Sequence, residues 1–140
     1  MTRVQENRLA HDLTVPWALP DGPSGVTSAR HATREQLHAF GVTDEATVGA
    51  VELIVSELTG NVVKHAAGPS TLRVRRLGEI IRVEVCDPEP MKVPEEQHPD
   101  VEGIGGRGLL LVSAVATSWG YDRSEGHKVT WAELDMSRER

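Results

Sequence analysis

A carboxylate, a carboxamide and an imidazole recur at helical spacing near the middle of this 140-residue sequence. Glu57, Asn61 and His65 are four residues apart, so a helix would place all three on one face. These groups can accept a proton, bind a metal or contact phosphate. A row of polar residues is also typical of a solvated helix face, and the three residues alone leave both interpretations open.

A separate apolar stripe predicts the helix that would carry these residues. Its members recur at steps of three and four, as expected for a helix lying on a core. They are Val48, Val51, Val55, Leu58 and Val62. Thr43 is the predicted N-cap, and the helix should run to about Ala67, before the Gly68-Pro69 break.

The rest of the chain alternates short strands with two further helices. Strands are predicted over residues 11–17, 72–77, 79–87, 119–122 and 128–134, and helices over 26–40 and 109–118. Gly41 should end the first helix, and Gly78 should turn the central hairpin. This order predicts an α+β two-layer sandwich with a mixed, mostly antiparallel sheet and three helices on one face.

Composition predicts one soluble domain over residues 11–135, with tails at 1–10 and 136–140. Hydrophobic residues make up 39%, and the net charge of −6 argues weakly against nucleic-acid binding. The single cysteine, Cys86, excludes an intramolecular disulfide and a cysteine metal cluster, and it is expected to be an apolar filler. No apolar leader or membrane span is recognisable, which predicts a cytoplasmic protein without membrane contact.

A glycine-rich stretch precedes the third helix. Residues 103–108 match the G-x-G-x-x-G pattern, but a Rossmann site needs a strand directly before it, and here a loop with four prolines precedes it. Glycines that lead into a helix can still expose backbone N–H groups to phosphate, and Arg107 adds a cation. A plain hinge remains the alternative. The preceding stretch, 88–104, is predicted to be a lid or binding loop.

Asp87 stands at the end of the third predicted strand, directly before a proline. A carboxylate at a strand terminus beside a long loop can accept a hydrogen bond from an adenine amino group. An aspartate that initiates a turn before proline is an equally good interpretation of this residue alone.

Taken in order, three segments resemble the N, G1 and G2 boxes of the GHKL ATPase superfamily. They are residues 57–65 (ELTGNVVKH), 87–90 (DPEP) and 105–111 (GGRGLLL). Within that superfamily the chain is similar to the RsbW-like anti-sigma-factor serine/threonine kinases of actinomycetes. The resemblance covers about residues 11–135 and implies a Bergerat-type site for ATP and Mg²⁺.

The resemblance implies a role for each matching residue. Asn61 would bind Mg²⁺, Glu57 would be the general base toward a serine hydroxyl, and Lys64 and His65 would approach the phosphates or ribose. Asp87 would bind the adenine amino group, with support from Thr130. The phosphate-binding segment would comprise Gly105, Gly106, Arg107, Gly108 and Leu109.

Two positions depart from the family pattern. Glu89 replaces the glycine that usually follows the G1 aspartate by two residues, and it places a negative charge near the adenine pocket. Gly60 replaces a Thr- or Ser-like residue before the asparagine, and a glycine inside a helix costs roughly 1 kcal/mol relative to alanine. Both departures bear on ATP affinity and catalytic rate more than on fold.

The resemblance implies a regulatory kinase that phosphorylates a STAS-domain anti-sigma-factor antagonist and sequesters a sigma factor, with a homodimer as a further expectation. The alternative is an ATP-gated protein-binding switch without phosphotransfer. The catalytic half of a histidine kinase would need a dimerisation helix, for which about ten residues before the first strand are too few. A gyrase-like ATPase would need an additional domain.

Overall fold

The computed structural model describes residues 10–17, 23–65, 70–88, 106–124 and 126–138. Five strands and three helices alternate along these ranges. In chain order they are β1 (Ala10–Trp17), α1 (Pro23–Ala39), α2 (Glu45–His65), β2 (Ser70–Leu77), β3 (Ile80–Pro88), α3 (Gly106–Val115), β4 (Ser118–Ser124) and β5 (His127–Asp135). The predicted lid lies almost entirely outside the described residues.

The strands form one five-stranded sheet in the order β1-β2-β3-β5-β4. Every pairing between the described strands is antiparallel. The predicted α+β sandwich with a mostly antiparallel sheet is therefore confirmed. Between β3 and β5 the chain passes through α3 and β4, so that β5 enters the sheet between β3 and β4. Strand β1 continues through Pro16, which an edge strand tolerates because one side of its backbone has no ladder partner.

One face of the sheet and the helices enclose the core. The inward residues of β3 alternate strictly with half-buried ones, and α2 contacts β3, β5 and both other helices. The predicted stripe of α2 is buried as far as its side chains are described, since Val48, Val51 and Val55 are fully buried and Leu58 is 3% exposed. Among the described residues, no helix has the length and apolar character needed to cross a membrane.

Gly41 ends α1 as predicted, in a Schellman arrangement. The N–H of Val42 donates to the carbonyl of Leu37 at 2.8 Å, and the N–H of Gly41 donates to the carbonyl of His38 at 3.0 Å. Gly41 has φ +90°, a conformation that favours glycine. Arg76 also donates to the carbonyl of Phe40 at 2.7 Å, so a cation from the β2–β3 hairpin completes this helix end.

The N-cap of α2 is Asp44, and the prediction of Thr43 was wrong by one residue. Asp44 Oδ2 accepts hydrogen bonds from the backbone N–H of Thr47 at 3.0 Å and from its hydroxyl at 2.9 Å. Either residue type can cap a helix. Here the hydroxyl of Thr47 gives the carboxylate a second donor, which selects Asp44.

Several element ends differ from the sequence prediction. Helix α3 begins at Gly106 and ends at Val115, about three residues earlier than predicted at each end, and α2 ends at His65. Strands β2, β4 and β5 are longer than predicted, with β2 beginning at Ser70, whereas β3 keeps its predicted length and lies one residue later. Beyond β5, the N–H of Met136 donates to the carbonyl of Glu79 at 2.8 Å, and its side chain packs against the core.

The outer face of the sheet has a compact charged cluster around Arg82. Its guanidinium donates to Glu84 at 2.6 Å and to Glu133 at 2.7 Å, and it lies 4.6 Å from the ring centroid of Trp131. All four residues are half-buried. Because the partners come from β3 and β5, the cluster links these two neighbouring strands on the side away from the helices.

Replacing the N-cap should destabilise the fold measurably. We expect Asp44→Ala to lower the free energy of unfolding by about 1 kcal/mol, because two donors at the start of α2 lose their acceptor. Thr43→Ala is the matched control and should change it by less than about 0.5 kcal/mol. Urea denaturation of both variants checks this, and a larger loss in Thr43→Ala would contradict the assignment.

Candidate functional site

The inward faces of the three central strands change from apolar to polar at the same end of the sheet. Along β3 the inward residues are Ile81, Val83, Val85 and then Asp87, and along β2, read backward, they are Val74, Leu72 and then Ser70. Along β5, also read backward, they are Leu134, Ala132 and Thr130, followed by Lys128. The antiparallel register brings these polar ends together, and we call Ser70, Asp87, Lys128 and Thr130 the polar row.

The register fixes the neighbours within the polar row. Lys128 is the direct partner of Asp87 on β5, and continuing the β2–β3 register by one residue sets Ser70 opposite Asp87 on β2. Thr130 is opposite Val85, so it is a diagonal neighbour of Asp87 on the same face. Directly opposite residues have Cβ atoms about 4.5–5.5 Å apart, and diagonal ones somewhat more. The polar row is therefore a contiguous patch.

Asp87 and Thr130, both predicted as adenine-binding residues, are deeply placed. Asp87 is 5% exposed and Thr130 is 6% exposed. Burying a carboxylate is costly unless other groups compensate it, so such a residue is rarely retained for packing alone. This burial disfavours the interpretation of Asp87 as an ordinary turn-initiating aspartate on the surface.

Helix α2 presents Asn61 and Glu57 beside its buried stripe. Asn61 follows Ile54 by seven residues, so the two side chains leave the helix in directions only about 20° apart. Ile54 is 1% exposed, and Asn61 and Glu57 are both half-buried. The carboxamide thus leaves α2 on its buried side, and Glu57 leaves the helix about 60° from Ile54. This geometry disfavours a fully solvated face for these two residues.

The other predicted residues are located only in part. Lys64 and His65 lie in the last turn of α2, and Gly106, Arg107, Gly108 and Leu109 form the first turn of α3. The structure describes the backbone of these six residues and not their side chains, while Gly105 lies outside the described residues. Helix α3 contacts α2. Its first turn offers backbone N–H groups that have no partner within the helix, as an anion site requires.

Thr59 and Gly60 directly precede Asn61 on α2, and they differ in how closely their surroundings are packed. The Thr59 hydroxyl donates to the carbonyl of Val55 at 2.6 Å, and the residue is fully buried, so it is committed to the helix itself. Gly60 is half-buried, and a Cβ added there would meet nothing within 4 Å. The departure at Gly60 therefore leaves space beside Asn61.

Sequence reasoning missed Ser70. Its hydroxyl is buried, the residue is 3% exposed, and no described residue gives it a hydrogen-bond partner. The signal was present, because Ser70 continues the alternation of Leu72 and Val74, but the predicted strand began only at Leu72. Extending the period of two by one step would have placed the serine on the inward face.

A carboxamide oxygen is present for a hard cation. Asn61 supplies it from α2, which suits Mg²⁺, an ion that usually takes only one or two protein ligands and completes its shell with phosphates and water. Within the described ranges there is no group of three or more His, Cys, Asp or Glu residues that could hold a metal by itself. The donor set therefore fits a metal that arrives with a phosphate ligand.

Cys86 is half-buried on the outer face of the sheet, between Asp87 and Val85 along β3. Burial raises the pKa of its thiol, and the negative charges of Asp87 and Glu84 raise it further. A raised thiol pKa reduces the fraction of thiolate, which is the nucleophilic form. The interpretation of Cys86 as a filler rather than a nucleophile agrees with this environment.

Comparisons with known proteins identify a family for the chain and a solved structure with a similar fold. A model of the family described as the histidine kinase-like ATPase domain matches residues 19–134. Among solved structures, the chain is similar to the histidine kinase AdeS of Acinetobacter baumannii, with a TM-score of 0.52 and 11% sequence identity. That alignment covers 97% of this chain and 74% of the other, and it shows a shared fold. No curated protein sequence matches the chain.

Filling the space at Gly60 should stabilise α2. We expect Gly60→Ala to raise the free energy of unfolding by roughly 0.5–1 kcal/mol, because alanine loses less backbone entropy than glycine in a helix. Gly49→Ala is the matched control, since Gly49 lies on the same helix and its Cβ would also meet nothing within 4 Å. A loss of stability confined to Gly60→Ala in urea denaturation would show that the space is not open.

The Cys86 thiol should react slowly in the folded protein. We expect alkylation by iodoacetamide at pH 8 to be slower than for the same thiol in urea, because the raised pKa leaves less thiolate. Glu84→Gln removes one of the neighbouring charges and should accelerate alkylation of the folded chain. Mass spectrometry of timed samples measures both rates, and a folded thiol that reacts faster than the unfolded one would contradict the raised pKa.

Proposed function

Because the chain belongs to the histidine kinase-like ATPase domain family, we propose that it binds Mg-ATP and transfers the γ-phosphate to a serine of a partner protein. The observation that carries the proposal is the position of the polar row. It lies at one end of the inward sheet face, and α2, with Glu57 and Asn61 beside its buried stripe, packs on β3 and β5, two of the three strands that carry it. The sheet end would bind the base, and α2 would act at the phosphates.

At the base end, acceptors and donors are fixed by the sheet. The Asp87 carboxylate, when ionised, has only acceptor oxygens, so it suits the amino group of adenine. Thr130, its diagonal neighbour, has a hydroxyl that can donate or accept. Because both residues are buried on central strands, they are held without the loss of freedom that a loop residue would undergo on binding.

At the phosphate end, Asn61 is the proposed metal ligand. Its carboxamide oxygen would hold Mg²⁺ against the phosphates, and the ion, when bound, neutralises developing charge on the phosphate oxygens. The first turn of α3, at Gly106, Arg107, Gly108 and Leu109, would bind phosphate through backbone N–H groups. Lys64 and His65 follow Asn61 within the last turn of α2 and would add positive charge at the phosphates or ribose.

Glu57 is the proposed general base. It precedes Asn61 by one helical turn and is half-buried, so it can meet a hydroxyl that approaches the same phosphate. The carboxylate would accept the proton of the incoming serine hydroxyl. At the same time the serine oxygen bonds to the γ-phosphorus, and the bond between that phosphorus and ADP breaks. Phosphoryl transfer requires chiefly such positioning and charge stabilisation, and one helix face supplies both groups.

The proposed partners follow from the resemblance to RsbW-like kinases. The phosphorylated protein would be a STAS-domain anti-sigma-factor antagonist, and a sigma factor would be the second binding partner, so the chain would act in transcription regulation. A homodimer in the cytoplasm, where ATP is supplied, is part of the same proposal. No direct contact with nucleic acid is proposed, in keeping with the net charge of −6.

A second candidate function is an ATP-gated switch that binds its partner without phosphotransfer. The space at Gly60, directly before the proposed metal ligand, favours it, because a nucleotide or metal beside Asn61 would be less tightly packed than beside a larger residue. This candidate uses the same pocket and differs only in turnover.

Glu57→Gln separates the two functions. We expect this variant to bind ATP within about threefold of the wild type, because the uncharged amide keeps the shape of the side chain. Phosphotransfer to STAS-domain proteins from the same cells should fall at least about 100-fold, since a general base contributes roughly 10²–10⁴-fold. Calorimetric titration measures binding, and radiolabelled ATP measures transfer.

Glu35→Gln is the control, because Glu35 is an exposed carboxylate on α1 that has no part in the proposed site. It should match the wild type in both assays. Transfer by Glu57→Gln at the wild-type rate would show that the base is another residue. A wild type that binds ATP and transfers phosphate to none of the antagonists would support the switch.

A further inference from the structure

Ser70 is a fully enclosed member of the polar row to which the proposed function gives no role. It is the first residue of β2, it is 3% exposed, and its Oγ is buried without a hydrogen-bond partner among the described residues. An enclosed hydroxyl without a partner lowers stability, whereas an alanine or valine at this position would not carry that cost. Packing therefore gives no reason for a serine here.

The position of Ser70 relative to Asp87 indicates what the hydroxyl is for. The two residues are opposite each other on neighbouring strands and both face inward, at a Cβ separation of about 4.5–5.5 Å for such pairs. They are nevertheless not hydrogen-bonded to each other, since Ser70 has no partner within the described residues. A hydroxyl donor and a carboxylate acceptor thus stand side by side, spaced for a third group that contacts both.

The pairing of one donor with one acceptor matches the edge of adenine. Adenine presents an amino donor at N6 directly beside an acceptor at N1, while guanine presents an acceptor at O6 beside a donor at N1. An ionised Asp87 carboxylate can only accept, and the Ser70 hydroxyl can donate. A site built in this way disfavours guanine, because the Asp87 carboxylate would face the O6 acceptor with no donor between them, although the Ser70 hydroxyl could still accept from N1.

We propose that Ser70 is a specificity-determining residue that donates its hydroxyl proton to N1 of adenine, directly or through one ordered water, while Asp87 accepts from N6. This inference rests on the proposed function, since it assumes that the polar row binds the base of ATP. It adds a residue from β2 to the recognition of the base, so that three neighbouring strands would contribute to it.

The test compares two nucleotides on two proteins. ATP presents the N1 acceptor, and 1-deaza-ATP has a carbon there and keeps the amino group. We expect the wild type to bind 1-deaza-ATP about 5- to 10-fold more weakly than ATP, which corresponds to the loss of one hydrogen bond. Ser70→Ala should bind ATP more weakly by the same factor, and it should bind 1-deaza-ATP as the wild type does.

Two further measurements separate recognition from a structural role. Thr71→Val is the matched control, because Thr71 is the next residue of β2, half-buried and on the outer face, and it should leave both affinities unchanged. Without nucleotide, Ser70→Ala should unfold at the same temperature as the wild type or higher, because a buried hydroxyl without a partner has been removed. A serine needed for the fold would instead lower that temperature.

The outcomes distinguish this inference from the function on which it rests. A wild type that binds ATP and 1-deaza-ATP equally well would overturn the role of Ser70 and leave the ATP site intact, and this result does not depend on any variant. Equal weakening of both nucleotides by Ser70→Ala would overturn it as well. A wild type that binds neither nucleotide would overturn the proposed function and this inference together.

Discussion

The antiparallel register of β2, β3 and β5 is the constraint on which the candidate site depends. Side chains alternate across a sheet with a period of two, so a slip of one residue in β3 would turn Asp87 outward and Cys86 inward. Buried inward residues oppose this slip from the helix side, and the Arg82 cluster opposes it from the outer face. The polar row is therefore a product of the packing of the whole sheet rather than of a local loop.

Helix α2 shows how one element serves both core and site. Its apolar stripe fixes the rotation of the helix about its axis, and that rotation determines which way Asn61 and Glu57 leave the backbone. A helix that was free to rotate could not hold the proposed metal ligand and the proposed base in a constant relation to the sheet. The buried valines thus contribute to the positions of the site residues as well as to stability, and chemistry and packing cannot be assigned to separate parts of this helix.

The sequence predicted the layers well because alternation and helical periodicity are properties of consecutive residues. The stripe of α2, the turn at Gly78 and the end of α1 at Gly41 were all predicted correctly. Prediction from the sequence failed where the correct residue could be identified only from contacts across the chain or within a turn. Asp44 and Thr43 are both good caps, and the Thr47 hydroxyl decides between them. Ser70 lay outside the predicted strand, although it continues the alternation of Leu72 and Val74, and its pairing with Trp17 of β1 shows that β2 begins at this residue. The chemical roles of Glu57 and Asn61 stay predictions, since they concern groups that bind to the chain.

The distribution of weak points along α2 supports a ligand at the end that carries Asn61. Each half of α2 has one glycine, Gly49 and Gly60, which lowers helix propensity, and the second half also has Thr59, whose hydroxyl bonds back to the helix. Residues that break a local rule without a structural gain are expected at functional sites. A ligand that binds only the folded chain adds its binding free energy to stability. Binding at the polar row and Asn61 would thus compensate the weak helix propensity of the residues directly before Asn61.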